Sequence, residues 1–236
     1  MLKIQDLQTH YGDFQALFGI DFKIDAGETV SLIGANGAGK STFLKTVCGQ
    51  LGASRGSVEF SGEAIVGKPS NEIVAKGIAM VPEGRRLFRS LTVEENLVIG
   101  AYSKRPGPWN LKRVYDLFPV LHEKRKNPAT ALSGGQQQMV AIGRALMSNP
   151  HLLICDEVSL GLAPIVVKDI YKALPEITAD GLAVVIVEQD IDTAQRVSDR
   201  LYCLMHGRVV LEGRSADVAR QQITDAYFGM QEAHHA

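Results

Sequence analysis

Two stretches of this chain carry residues suited to holding phosphate, and a third carries acids suited to working beside one of them. GANGAGKS, Gly34 to Ser41, fits G-x-x-x-x-G-K-[ST] and lies between the apolar VSLI and the helix-forming STFLKTV. Its glycines let the backbone curl, so that amides of Gly34, Asn36, Gly37, Ala38 and Gly39 turn toward one anion. Lys40 then reaches the β- and γ-phosphates, Ser41 is placed to ligate Mg²⁺, and Thr42 can donate to the α-phosphate. LSGGQQQ, Leu132 to Gln138, opens a second helix: Met139, Ile142 and Leu146 recur at helical spacing, and Ser133 is a plausible N-cap. Exposed amides at Gly134 and Gly135, beside Gln136, would make a second anion site.

The acids are in HLLICDE, His151 to Glu157, an apolar strand ending in two carboxylates. An acid at the C-terminal end of a parallel strand beside a phosphate loop is where a Mg²⁺-organising group belongs, a role for Asp156. Glu157 leaves the strand tip in another direction and could polarise an attacking water as general base.

Strands and helices must bring these groups together. LKIQDLQTHY and LFGIDFKID read as an antiparallel pair joined by the turn-rich YGDFQA. SVEF, IAMVPE, HLLICDE, AVVIVEQ and RLYCLMH supply further strands, several alternating with helical segments. That pattern predicts an α/β sheet with a parallel core, edged by GRVVLEG after a glycine turn. From about Gly84 to Ser148 no strand is evident, and VEENLVIGAY, LKRVYDLFPVL and the helix after LSGG read as an inserted helical subdomain. The expected organisation is one domain over residues 1–236, with a core of 1–83 and 149–236 and a helical part over 84–148.

The bulk numbers narrow the choices. With 236 residues, 45% hydrophobic, the chain can bury one substantial core. A net charge of −1 offers no general attraction for nucleic acid or anionic lipid. No apolar run approaches the roughly 18 residues of a membrane span, and the N-terminus lacks a signal-like apolar segment. Cys48, Cys155 and Cys203 sit in apolar surroundings, as small core residues rather than ligands or disulfides. The two final histidines, His234 and His235, read as part of a solvated tail rather than as metal-binding.

The phosphate loop, then LSGGQ, then the acid-tipped strand together resemble the ATP-binding cassette of ABC proteins, over essentially the whole chain. The resemblance implies a P-loop NTPase fold with a mixed-sheet core, an antiparallel β subdomain and a helical insertion, acting on ATP with Mg²⁺. In that family cassettes pair head to tail, and LSGGQ of one subunit caps the nucleotide on the phosphate loop of the other. Ser133, Gly134, Gly135 and Gln136 would thus serve a second ATP-binding subunit, identical or not. Tyr11 falls where an aromatic stacks on adenine, Glu83 where most members place a glutamine near Mg²⁺, and Gln189 where most place a histidine on the γ-phosphate. Val158 replaces the usual proline.

VPEGRRLF, SLGLAP and VEQ together resemble one branch, the ATP-binding subunits of branched-chain amino-acid importers. This branch implies separate transmembrane permease subunits, indirectly a substrate-binding protein, no nucleic acid, and a peripheral place on the cytoplasmic face of the inner membrane. A related urea, amide or other amino-acid importer is the nearest alternative. A soluble ATPase acting on nucleic acid or ribosomes fits poorly, because such relatives carry coiled-coil insertions or two cassettes. A non-hydrolysing regulator would lack the base, whereas Glu157 is present.

Overall fold

The computed structural model of the chain describes residues 1–229, so the histidine-bearing end of the tail lies outside the described residues. The first part of the tail forms a helix, Arg220–Phe228. The strands are β1 (Leu2–Tyr11), β2 (Phe14–Ile24), β3 (Thr29–Ile33), β4 (Arg55–Phe60), β5 (Glu63–Ala64), β6 (Ile78–Val81), β7 (Leu152–Asp156), β8 (Ala183–Glu188), β9 (Arg200–Met205) and β10 (Arg208–Arg214). The helices are α1 (Lys40–Val47), α2 (Ser70–Lys76), α3 (Val93–Gly100), α4 (Leu111–Leu117), α5 (Pro119–Glu123), α6 (Gly134–Leu146), α7 (Pro164–Lys172), α8 (Leu174–Thr178), α9 (Ile191–Val197) and α10 (Arg220–Phe228).

They form an α/β fold with two sheets. One is antiparallel, in the order β2-β1-β4-β5; the other runs β10-β9-β3-β8-β7-β6. In the second, β9, β3, β8, β7 and β6 are parallel and β10 closes the edge antiparallel to β9. The central strands are buried on both faces, which is why they are continuous apolar runs. Alternation sends their side chains into two cores. Ala183, Val185 and Val187 of β8 face the layer shared with α1 and the antiparallel sheet, where Phe22 packs on Phe43 at 5.2 Å and on Tyr202 at 4.6 Å. Val184 and Ile186 face the helices that include α6 and α7. Each fully buried aliphatic side chain contributes about 1.5–3 kcal/mol.

Between β6 and β7 the chain is helical, with one isolated bridge, Thr92 to Pro128. Capping boxes start α3 (Thr92 with Glu95) and α6 (Ser133 with Gln136). One expectation is corrected. The turn joining β1 to β2 is only Gly12–Asp13, and Phe14, Gln15 and Ala16 already belong to β2. The stretch LKRVYDLFPVL forms two helices, broken at Phe118 before Pro119, whose ring disfavours helical backbone in the preceding residue.

Candidate functional site

The phosphate loop leaves the end of β3 and enters α1. Gly34 has φ 151° and Gly39 φ 108°, and a Cβ on Gly34 would stand 2.4 Å from the Leu204 carbonyl oxygen. Only glycine fits both demands there. The β9–β10 turn clamps the loop from above. Gly207 donates its N–H to the Ala38 carbonyl at 2.9 Å, and its own carbonyl accepts from Phe18 N–H at 2.9 Å. Lys40 is 5% exposed, and its ammonium donates to the carbonyls of Gly34 (2.7 Å) and Ala35 (3.2 Å). Glu157 Oε1 lies 3.9 Å from the same Nζ. Burial lowers the Lys40 pKa, and the charges of Glu157 and Asp156 work against that.

Strand register assembles the acids. Val81 pairs beside Cys155, Asp156 beside Val187, and Ile33 beside Glu188, so the residues that follow all emerge at one end of the sheet. Asp156 is buried, and its pKa is pushed up to about 6, chiefly by burial and then by the charges of Glu157 and Glu83. Lys40 and Lys45 offset part of this. Such a carboxyl is short of positive charge, which fits a divalent cation. Among the described residues no group of three or more His, Cys, Asp or Glu forms a protein-only metal cage. Mg²⁺ needs none, since it is commonly held by one or two protein oxygens plus substrate phosphates. Asp156 and the Ser41 hydroxyl are the donors suited to it. Glu157 adopts φ +48°, left-handed backbone that costs a non-glycine residue on the order of 1–3 kcal/mol and recurs at functional sites.

A cavity of about 430 Å³ opens over the loop, within the size range of ligand sites. Tyr11, Asn36, Gly37, Gly39, Lys40, Ser41, Thr42 and Glu157 all line it. Gly34 and Ala38 lie buried beneath the surface of the loop. Asp156, Glu83 and Gln189 are not among the lining residues, although the charge of Glu83 reaches Asp156. The cavity wall also includes Phe14, Phe18 and His206, which sequence reasoning passed over. Phe14 pairs directly with Tyr11 across the two-residue turn, so two aromatic rings flank the hairpin tip. The signal was there: a Tyr-Gly-Asp-Phe hairpin turn sets its flanking residues side by side.

The second helix start stands apart, for none of Ser133, Gly134, Gly135 or Gln136 lines this cavity. Ser133 caps α6, its hydroxyl accepting from Gln136 N–H at 3.4 Å while Gln136 Oε1 accepts from Ser133 N–H at 3.1 Å. The expectation of an exposed Gly135 is corrected. It is buried against Val166 of α7, whose Cγ1 would be 2.2 Å from an added Cβ. Gly134 is half-buried beneath the guanidinium of Arg85. Arg144 of α6 donates to the carbonyls of Arg86 (2.9 Å) and Arg85 (3.1 Å), tying this helix to the loop that carries Glu83.

Comparison with known proteins agrees with this geometry. The family model described as ABC transporter matches residues 17–159. The high-affinity branched-chain amino acid transport ATP-binding protein BraG of Pseudomonas aeruginosa is 46% identical, over 97% of this chain and 100% of that one. A probable branched-chain amino acid transport ATP-binding protein, LivF of Archaeoglobus fulgidus, is 33% identical over 94% of this chain and 95% of that one. Among solved structures, an ATP-binding cassette of an ABC transporter superposes with a TM-score of 0.83 at 30% identity, covering 96% and 98% of the two chains. A dimeric cassette in a post-hydrolysis state with ADP and phosphate gives 0.79 at 26% identity, covering 91% and 99%. Agreement along nearly the whole length places this chain in the ABC transporter family, as one of its ATP-binding subunits.

Proposed function

We propose that this chain hydrolyses ATP to drive import of branched-chain amino acids through separate permease subunits. The observation that carries the substrate class is the 46% identity to BraG over 97% of the chain. Among the described residues no helix is long and apolar enough to cross a membrane. This reading assigns the permease to other chains and this subunit to the cytoplasmic face of the membrane. Residues 1–83 and 149–236 serve as the nucleotide-binding core, and 84–148 carry the motion to the permease.

In this reading the amides from Gly34 to Gly39 and the Lys40 ammonium hold the phosphates, with Thr42 at the α-phosphate. Tyr11 stacks on the adenine. Ser41 and Asp156, with Glu83 nearby, hold Mg²⁺, which when bound neutralises charge on the β- and γ-phosphate oxygens. Glu157 accepts a proton from the attacking water, and the Gln189 amide donates to a γ-phosphate oxygen. Ser133, Gly134, Gly135 and Gln136 act on the nucleotide of a second subunit. The separation of α6 from the cavity within one chain supports this, as does the dimeric relative with ADP and phosphate.

The test is to capture the membrane complex through the tagged full-length chain, place it in liposomes with its binding protein, and measure ATP-dependent uptake. Leucine, isoleucine and valine should enter, and urea and glutamate should not. Uptake of urea alone would reassign the substrate, and absence of ATP turnover would overturn the whole reading.

A further inference from the structure

Glu188, the last residue of β8, is 2% exposed and has no part in the chemistry proposed above. Its partners are hydroxyls rather than cations. Ser159 Oγ donates to its Oε2 at 2.5 Å, and the Tyr171 hydroxyl of α7 donates to its Oε1. Burial pushes the carboxyl pKa up, and both hydroxyls pull it back toward the ionised form. A buried carboxyl is costly, and an apolar residue would complete this strand at less cost. Its neighbours suggest what it is for. Ser159 lies two residues beyond Glu157, and Gln189 directly follows Glu188. Glu157 holds a left-handed φ of +48°, a strained state that persists only when its surroundings enforce it. Two bonds stitch this turn to β8: Glu157 N–H to the Val187 carbonyl at 3.0 Å, and Ser159 to Glu188.

We propose that Glu188 is a positioning residue. Through Ser159 it holds the Glu157 turn against the strand end that bears Gln189, while Tyr171 fixes the carboxylate from α7. Base and γ-phosphate donor are thereby set in one geometry. This rests on the reading of Glu157 as general base.

The test compares kcat, KM for ATP, nucleotide affinity and Tm in the full-length chain captured with its membrane partners. The variants are Ser159→Ala, Ser159→Thr, Glu188→Gln, the Ser159→Ala/Glu188→Gln double, and Glu157→Gln as control. Loss of a hydrogen bond to a charged group should lower kcat about tenfold in Ser159→Ala and Glu188→Gln, with ATP affinity within about twofold of wild type. The double variant should be no slower than Glu188→Gln alone, because the bond that Ser159→Ala removes is one of the two that Glu188→Gln already weakens. Ser159→Thr keeps the hydroxyl and should restore most of the rate. Wild-type kcat in Ser159→Ala and Glu188→Gln, with Glu157→Gln inactive, would overturn the positioning role and leave the base in place. Parallel losses of kcat, affinity and Tm without rescue by threonine would overturn it in favour of plain fold support. An active Glu157→Gln would instead remove the base on which the positioning role depends.

Discussion

Replacing Glu157 by glutamine separates the chemical step from nucleotide binding. The substitution keeps the side-chain size and the backbone bond to Val187, so the turn should remain folded. It removes one charge 3.9 Å from Lys40 Nζ. At that distance and an effective dielectric near 20, the lost attraction is about 4 kcal/mol before desolvation is counted. The freed ammonium becomes available to phosphate, so ATP affinity should hold or rise. The same change removes a negative neighbour that helps raise the Asp156 pKa, which favours the ionised, Mg²⁺-binding form. Against this, loss of a general base slows turnover by about 10²- to 10⁴-fold, or roughly 2.7–5.5 kcal/mol of barrier. Steady-state hydrolysis measured beside ATP retention and size-exclusion chromatography should show an ATP-loaded closed dimer with almost no turnover. Turnover near the wild-type rate, or ATP binding weakened along with it, would refute the assignment.

Other consequences can be measured as directly. Gln189→Ala should lower kcat about ten- to a hundredfold with little change in ATP affinity, and Gln189→His should recover much of the rate; an alanine variant with wild-type kcat would make Gln189 a bystander. Gly135→Leu would press into Val166 and displace the start of α6, so ATP binding should survive while dimer closure and hydrolysis fail. Full hydrolysis in that variant would separate this helix from the reaction. Phe14→Ala and Tyr11→Ala should each weaken ATP binding about two- to tenfold if both rings contact adenine, as titration of a fluorescent ATP analogue would show. A loss confined to Tyr11 would leave Phe14 as rim. The Asp156 pKa is raised from 3.8 to about 6. In metal-free protein its favourable contribution to stability is therefore full below about 3.8 and lost as pH rises through about 6. Mg²⁺ requires the ionised form, so metal-dependent nucleotide affinity should fall as pH drops below about 6. An affinity flat from pH 7 to 5 would exclude Asp156 as the Mg²⁺ ligand.

Local chemistry made part of this protein legible in its sequence. GANGAGKS specifies a loop because its glycines permit backbone that other residues resist, and VSLI and HLLICDE specify central strands because burial on both faces demands unbroken apolar runs. LSGGQ announced a capped helix start, since a capping box needs only residues three apart. Each of these signals lies within a few neighbouring residues. The remainder depends on contacts between distant ones. Phe14 reached the cavity because the β1–β2 turn is only two residues long. Gly207 clamps the phosphate loop because a hairpin more than 160 residues later folds back over it. Gly135 proved buried because α7 packs Val166 on it, and local sequence does not show what covers a helix start. In the sequence Glu188 is one polar residue at the end of an apolar run. Only packing of β8 against the turn after β7 and against α7 brought Ser159 and Tyr171 to its carboxylate, because the free energy of a buried charge is set by groups the chain supplies from elsewhere.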